Sequence, residues 1–316
     1  MKKALVMGAS GGMGYALVHE LTSQCVEVAA FSRNREKLES LYRDVRNVTI
    51  FPGDAFNQHE LSNAAAGVDI IFYAVSFPYS EWAAKHPQCL DITLEVAARK
   101  KAKVVLINNV YVYGKQNKGK VTEDAEKNPY TKKGHIRLEM EKRLTESSVP
   151  TLNLYMPDFY GPNAENTIVN AVLKSVLQNK KARFVGSTKV PREFLYTMDA
   201  AKAMIELAQR PDAYNQSWNI PSAHPITGEE LFAIIREAAE YKKTIRPITK
   251  EMIRFMGLFS PAMKEIVEIM DLTENPVVLS GEKYENNINP LPRTSYKQGI
   301  EETLCWMKKK ELKTSK

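Results

Sequence analysis

Several features that would tie a chain to a special environment are scarce here. The three cysteines, Cys25, Cys89 and Cys305, lie far apart, form no CxxC pair and are too few for a disulfide framework. A reducing compartment fits that usage, and the expected location is the cytoplasm. Long apolar runs are missing too. The stretch after the two N-terminal lysines stops after four residues at a Gly-rich turn, too short for a signal peptide, and nothing approaches a membrane span, so no membrane partner is expected. The five histidines show no HExxH or paired spacing, and no metal is expected. Neither a G-x-S-x-G elbow nor a GxxxxGK[ST] loop occurs. Charge of one sign is also in short supply: the net is +7, of which residues 308–316 supply +4, and that tail reads as a frayed, solvated end. The body is close to neutral, and no nucleic-acid partner is expected.

What is present is an ordinary globular composition, 44% hydrophobic and 26% charged, over 316 residues, enough for two lobes and a cleft between them. Short apolar runs alternate with helical spacing. Strands are predicted at 2–7, 26–32, 47–54, 68–75, 102–109 and 150–156, and helices after 14, at 35–43, 57–66, 88–101 and 130–147. Strands apolar throughout and separated by helices call for a parallel sheet covered on both faces. The fold class is therefore α/β, a doubly wound parallel sheet. Beyond 156 the pattern loosens into helices near 165–179, 199–209, 227–241, 261–271 and 295–310. The expected organisation is a dinucleotide-binding domain over 1–156 and a smaller C-terminal α/β substrate lobe over 157–316 packed on it. The Met-rich stretch at 252–270 reads as core packing by default, with a lid or a homodimer surface as the alternatives.

Between the first strand and first helix stands GASGGMG, in which Gly8, Gly11 and Gly14 permit a tight turn, a close backbone approach to a pyrophosphate and close packing of helix on strand. Ser10, Gly12 and Met13 complete the turn as cofactor-binding candidates. The second strand ends Phe31-Ser32-Arg33 with no acid at its tip. A carboxylate there would repel a 2'-phosphate, whereas Arg33 can clasp one, so NADP(H) is expected over NAD(H). Asp54, at the end of the third strand, is placed to meet the adenine, with Ala55 beside it as a further cofactor-binding candidate, and Ala74, Val75 and Ser76 pass beneath the adenosine ribose.

These residues, with NNVYVYG at 108–114, DFYGP at 158–162, REFLYTMDAAKA at 192–203 and WNIPSAHPITGEEL at 218–231, resemble the extended branch of the short-chain dehydrogenase/reductases known as the NAD-dependent epimerase/dehydratase family. The likeness extends over nearly the whole chain and to an atypical subgroup of that branch. It implies a C-terminal lobe that receives the substrate and a nicotinamide at the bottom of the cleft, with Asn108 and Asp158 near it and Arg192 in the substrate lobe.

In that family a Tyr and a Lys four residues apart on one helix work with a Ser or Thr at the end of strand five: the ammonium lowers the phenol's pKa, and the hydroxyl bonds the reacting oxygen. This sequence departs from the set. Asn109 holds the hydroxyl position, and four residues after Tyr130 comes Gly134. Two repairs are open: a displaced Tyr130–Lys133 pair three residues apart on one helix face, with Asn109 donating an amide hydrogen bond, or a phenol from Tyr111 or Tyr113 in the neighbouring loop. Tyr111 is also a substrate-binding candidate. Arg137 and Glu139 read as solvated helix charges. The expected function is an NADP(H)-dependent oxidoreductase or epimerase-like enzyme acting on a carbonyl or hydroxyl of a small metabolite, a sugar nucleotide among the candidates. The alternative is a non-catalytic NADP(H)-binding redox sensor or scaffold.

Overall fold

The computed structural model describes residues 1–116 and 119–314; the last two residues of the basic tail lie outside them. Strand and helix alternate from the start: β1 (Lys3–Met7), α1 (Gly12–Ser23), β2 (Glu27–Ser32), α2 (Arg35–Tyr42), β3 (Val48–Pro52), α3 (Gln58–Ala64), β4 (Ile70–Tyr73), α4 (Trp82–Lys100), β5 (Lys103–Asn109), α5 (Lys132–Glu146) and β6 (Thr151–Met156). All of β4 and all of β6 are buried, as a sheet covered on both faces requires. Side-chain oxygens set the helix starts: Asn34 caps α2, Asn57 caps α3 and Thr131 caps α5, each accepting from backbone N–H groups of the first turn. Thr131 therefore starts α5 two residues later than predicted. Conversely, α4 starts six residues earlier than predicted and runs through Pro87. Losing one backbone bond at Pro87 is tolerated because Trp82 is anchored in the core by its indole, which donates to the Phe77 carbonyl.

The second half contains β7 (Asp158–Tyr160), α6 (Ile168–Leu177), β8 (Ala182–Val185), β9 (Phe194–Tyr196), α7 (Thr197–Gln209), β10 (Gln216–Asn219), α8 (Gly228–Ala239), β11 (Ile245–Ile248), α9 (Lys250–Gly257), α10 (Pro261–Glu274), α11 (Glu282–Asn287) and α12 (Tyr296–Thr314). The short helices α9 and α11 were not predicted. Pro261 splits the Met-rich stretch, taking the first position of α10, where its missing N–H costs nothing.

The main sheet has seven parallel strands in the order β10-β6-β5-β4-β1-β2-β3. Its seventh strand comes from the chain's second half, with Trp218 beside Leu154. One face is covered by α1, α2 and α7, the other by α3, α4 and α5. Two small parallel sheets, β8 with β11 and β7 with β9, stand apart, and α6, α8 and α12 pack with them around a third core. The chain winds from β1 to β3 and then crosses back to β4. The order therefore reverses between β1 and β4, and the crevice beyond their carboxyl ends is where such sheets take ligands. Among the described residues no helix is long and apolar enough to cross a membrane.

Candidate active site

Two clefts open at the carboxyl ends of the strands. The first is built around the glycine turn. Gly8 has φ +78° and sits so close to β4 that a Cβ would lie 2.5 Å from the Ala74 carbonyl oxygen; at Gly14 a Cβ would collide with the Gly8 carbonyl. No side chain caps α1 at Gly11, so the amides of its first turn remain available to a ligand. Asn163 braces the turn from the second half, donating to the carbonyls of Ser10 (3.0 Å) and Gly11 (3.3 Å), while its Oδ1 is buried without a donor among the described residues. Nothing in the local sequence marks that brace beyond its place in the loop after DFYGP.

This cleft, about 250 Å³, is lined by Gly8, Ser10, Gly11, Arg33, Asp54, Ala55, Ala74 and Val75, eight of the residues proposed from sequence, together with Ser32, Lys37 and Asn166. Gly12, Met13 and Gly14 lie behind it in the first turn of α1. Ser10 and Ser32 hydroxyls are 2.6 Å apart across the floor. Arg35, two residues on from Arg33, pairs with Glu39 on its own helix at 3.6 Å. The residues fit a dinucleotide: a glycine cradle, an uncapped helix start, and at the tip of β2 a hydroxyl and the Arg33 cation, with Lys37 nearby on α2 paired at 3.4 Å with Glu165.

The second cleft, about 350 Å³, lies beyond β5 and β6 and shares Asn166 with the first. Asn108, Asn109, Tyr111, Asp158 and Arg192 line it, again as sequence positions suggested. So do Tyr79, Trp82, Arg137 and Glu193, which sequence reasoning did not place there. Asn109 is committed locally: its side chain accepts from the Tyr111 amide and caps a 3-10 turn over Val110–Tyr113. Asn108 donates to Asn153 at 3.1 Å. Tyr111 and Tyr79 hydroxyls face each other at 3.4 Å, and burial raises both phenol pKa values. Tyr113 points away, donating to Asn219 within the core.

Three expectations meet a different geometry. Tyr130 precedes α5, is exposed, and lines a shallow groove with Lys132, Arg254 and Leu258; it is absent from the cavity lining. Lys133, 2% exposed, is absent from the lining too, although its ammonium lies 5.4 Å over the ring of Tyr79, which does line it. Its ammonium is bound by Glu265 (2.5 Å) and Glu268 (2.7 Å) of α10, clamping that helix to α5. Thr131 causes both outcomes by starting the helix between the two residues, so they share no helical face. Arg137, read as solvated, is buried: its guanidinium lies 4.5 Å over the Trp82 ring, donates to the Ile107 carbonyl at 3.2 Å and sits 3.5 Å from His86 Nε2. Burial and the Arg137 charge push the His86 pKa down to about 2, so that imidazole is a neutral acceptor.

The remaining charges respond to burial in the same way. Burial raises the Asp158 pKa, and the nearby Arg192 guanidinium pulls it partly back. Glu193 is pushed up to about 7 by burial although it accepts from the amides of Ser222 and Leu279 and from the Ser222 hydroxyl. Arg192 donates to the Val185 carbonyl and stacks 5.1 Å from both Phe184 and Phe194. Among the described residues no three His, Cys, Asp or Glu side chains gather as metal ligands.

The NAD dependent epimerase/dehydratase family model matches residues 4–220. No curated protein matches the sequence. Solved structures with the same fold include a dTDP-glucose 4,6-dehydratase from Bacillus anthracis in complex with NAD, 19% identical, covering 99% of this chain and 98% of that one with a TM-score of 0.80. A UDP-glucose 4-epimerase from Thermotoga maritima with UDP-glucose is 17% identical, with coverage of 98% and 99% and a TM-score of 0.77. A UDP-glucuronic acid 4-epimerase from Bacillus cereus in complex with NAD is 16% identical, with coverage of 97% and 99% and a TM-score of 0.78. At such identities the likeness is one of fold.

Proposed function

We propose, for a chain that belongs to the NAD dependent epimerase/dehydratase family, that it is an oxidoreductase or epimerase-like enzyme using a nicotinamide dinucleotide, NADP(H) by preference, at a carbonyl or hydroxyl of a small metabolite. The observation that carries this reading is the pair of clefts joined at Asn166, one floored by the glycine turn and the other lined by buried polar groups. The dinucleotide, when bound, supplies hydride chemistry. The amides opening α1 would hold its pyrophosphate, and Ser32, Arg33 and Lys37 its 2'-phosphate. That two of the similar structures above are NAD complexes describes those proteins; the acid-free tip of β2 is this chain's own argument for NADP(H).

Tyr111 is our candidate for proton transfer at the reacting oxygen. It lines the cavity, its hydroxyl neighbours that of Tyr79, and the Arg137 charge acts to lower its pKa against the opposing effect of burial. Asn109, Asp158 and Arg192 orient the substrate in this reading. A homodimer stays part of it, resting on Phe255, Leu258 and Phe259, which α9 and its exit leave exposed. A second reading, a dinucleotide-binding sensor without turnover, is favoured by one observation: the Lys133 ammonium is tied to Glu265 and Glu268, which offset its charge next to the Tyr79 phenol. Calorimetry with NADPH and NADH, followed by a turnover screen over aldehydes, ketones and sugar nucleotides, separates the cases. Heat with NADPH and turnover support the enzyme, heat without turnover supports the sensor, and no heat with either dinucleotide overturns both.

A further inference from the structure

Arg137 is a buried charge without a counter-charge. Its side chain lines the second cavity, is 7% exposed, and keeps an Nε that has no acceptor among the described residues. No carboxylate is among the groups whose charge bears on it; these are the phenols of Tyr73, Tyr111 and Tyr79. Burial keeps all three phenols protonated at neutral pH, so they contribute no negative charge. The groups that hold it in place, the Ile107 carbonyl, the neutral His86 and the face of Trp82, fix its orientation and leave its charge unmatched. An isolated guanidinium in a low-dielectric interior is strongly unfavourable, and a site that retains one is suited to an anion arriving with the ligand.

The rest of the cavity deepens the imbalance. Arg192 brings a second permanent cation, whereas both carboxylates in the lining, Asp158 and Glu193, are driven by burial toward their neutral forms. A volume of about 350 Å³ is near the small end for ligand sites, and the nicotinamide must take part of it. A compact acid fits such a space better than an extended one.

We infer that the substrate is a small carboxylic acid, a hydroxy, oxo or sugar acid, whose carboxylate is bound by the Arg137 guanidinium at the ends of β5 and β6. The planar fork of arginine matches a carboxylate geometrically, and a lysine at the same place would not reproduce it. The inference rests on the proposed function and narrows its substrate class.

The test measures affinity instead of turnover. The NADP(H)-loaded protein is titrated by calorimetry with pyruvate, lactate and gluconate, each against its methyl ester, and with inorganic phosphate. Pyruvate is used on the oxidised form and the two hydroxy acids on the reduced form, so that no hydride moves. At least one acid is expected to bind tenfold or more tightly than its ester. In Arg137→Met that ratio should fall to about one while NADPH affinity changes less than threefold. Arg137→Lys, which keeps the charge, should retain only part of the preference and stands in should the Met variant fail to fold. Equal affinity for acid and ester throughout, a preference that survives Arg137→Met, or binding of phosphate alone would overturn the inference. Because NADPH binding is measured first, its loss would count against the proposed function, whereas intact NADPH binding without acid preference would count only against the carboxylate site.

Discussion

At the scale of single residues, cofactor choice turns on the tip of β2. Arg33 is exposed at the edge of the first cleft, so a bound 2'-phosphate there would meet a solvated cation with little else to hold in place. Arg33→Ala should weaken NADPH about tenfold or more, roughly the value of one charge-assisted hydrogen bond, and leave NADH nearly unchanged. Equal losses for both, read by calorimetry, would remove the case for NADP(H). Tyr111→Phe deletes only the hydroxyl that faces Tyr79. If that hydroxyl moves the proton, kcat should drop on the order of 10²- to 10³-fold with NADPH affinity intact, and Tyr130→Phe should leave kcat unchanged, since Tyr130 stands outside the cavity. The reverse pattern would return the role to Tyr130. The glycine turn and the acid-free tip of β2 were legible because their chemistry is local and consecutive in sequence. Arg137 was not: an arginine amid helix charges looks solvated until the tertiary structure stacks Trp82, from the start of α4, against it.

Between elements, Glu193 is a junction. Standing at the entry to β9, it accepts from the amides of Ser222 and Leu279, joining three segments that are remote in sequence. Its carboxyl is buried, with a folded pKa of about 7 against an ordinary value of 4.5. The folded state therefore holds this proton more tightly than the unfolded state, and stability must fall as pH rises from 4.5 through 7, by at most about 3 kcal/mol from this group. Glu193→Gln is neutral at every pH. Measured as Tm from pH 5 to 8, the variant's stability relative to the parent should improve as pH rises; a difference that stays constant across the range would show that Glu193 does not titrate there. Elements themselves were readable from period and caps for the strands and the longer helices. Their boundaries shifted where a single group outweighed the pattern: Thr131 delayed α5, and anchoring at Trp82 carried α4 through Pro87.

For the whole molecule, the division of the sequence near residue 156 is not a division of the core. Helix α7 lies on α1, and Ala200, Ala201, Met204 and Leu207 share one buried cluster with Ala16, Leu17 and Leu21. β10 then pairs with β6, covering an edge that would otherwise present unpaired backbone groups. The alternation of strand and helix made the doubly wound sheet evident, yet no periodicity in 197–219 could say that this segment returns to it, because return is fixed by which apolar face the first half leaves uncovered. A fragment ending at residue 156 would thus expose the part of one sheet face that α7 covers along with the flank of α1. Such a fragment should be insoluble or molten, with native-like far-UV but featureless near-UV circular dichroism, whereas extending it to residue 220 restores α7 and β10 and should recover the tertiary signal. The full chain should unfold in one transition in which signals from Trp218, on β10, and Trp306, on α12, coincide. If residues 1–156 alone gave a sharp, cooperative melt, the first half would be an independent domain and the shared core only a docked surface.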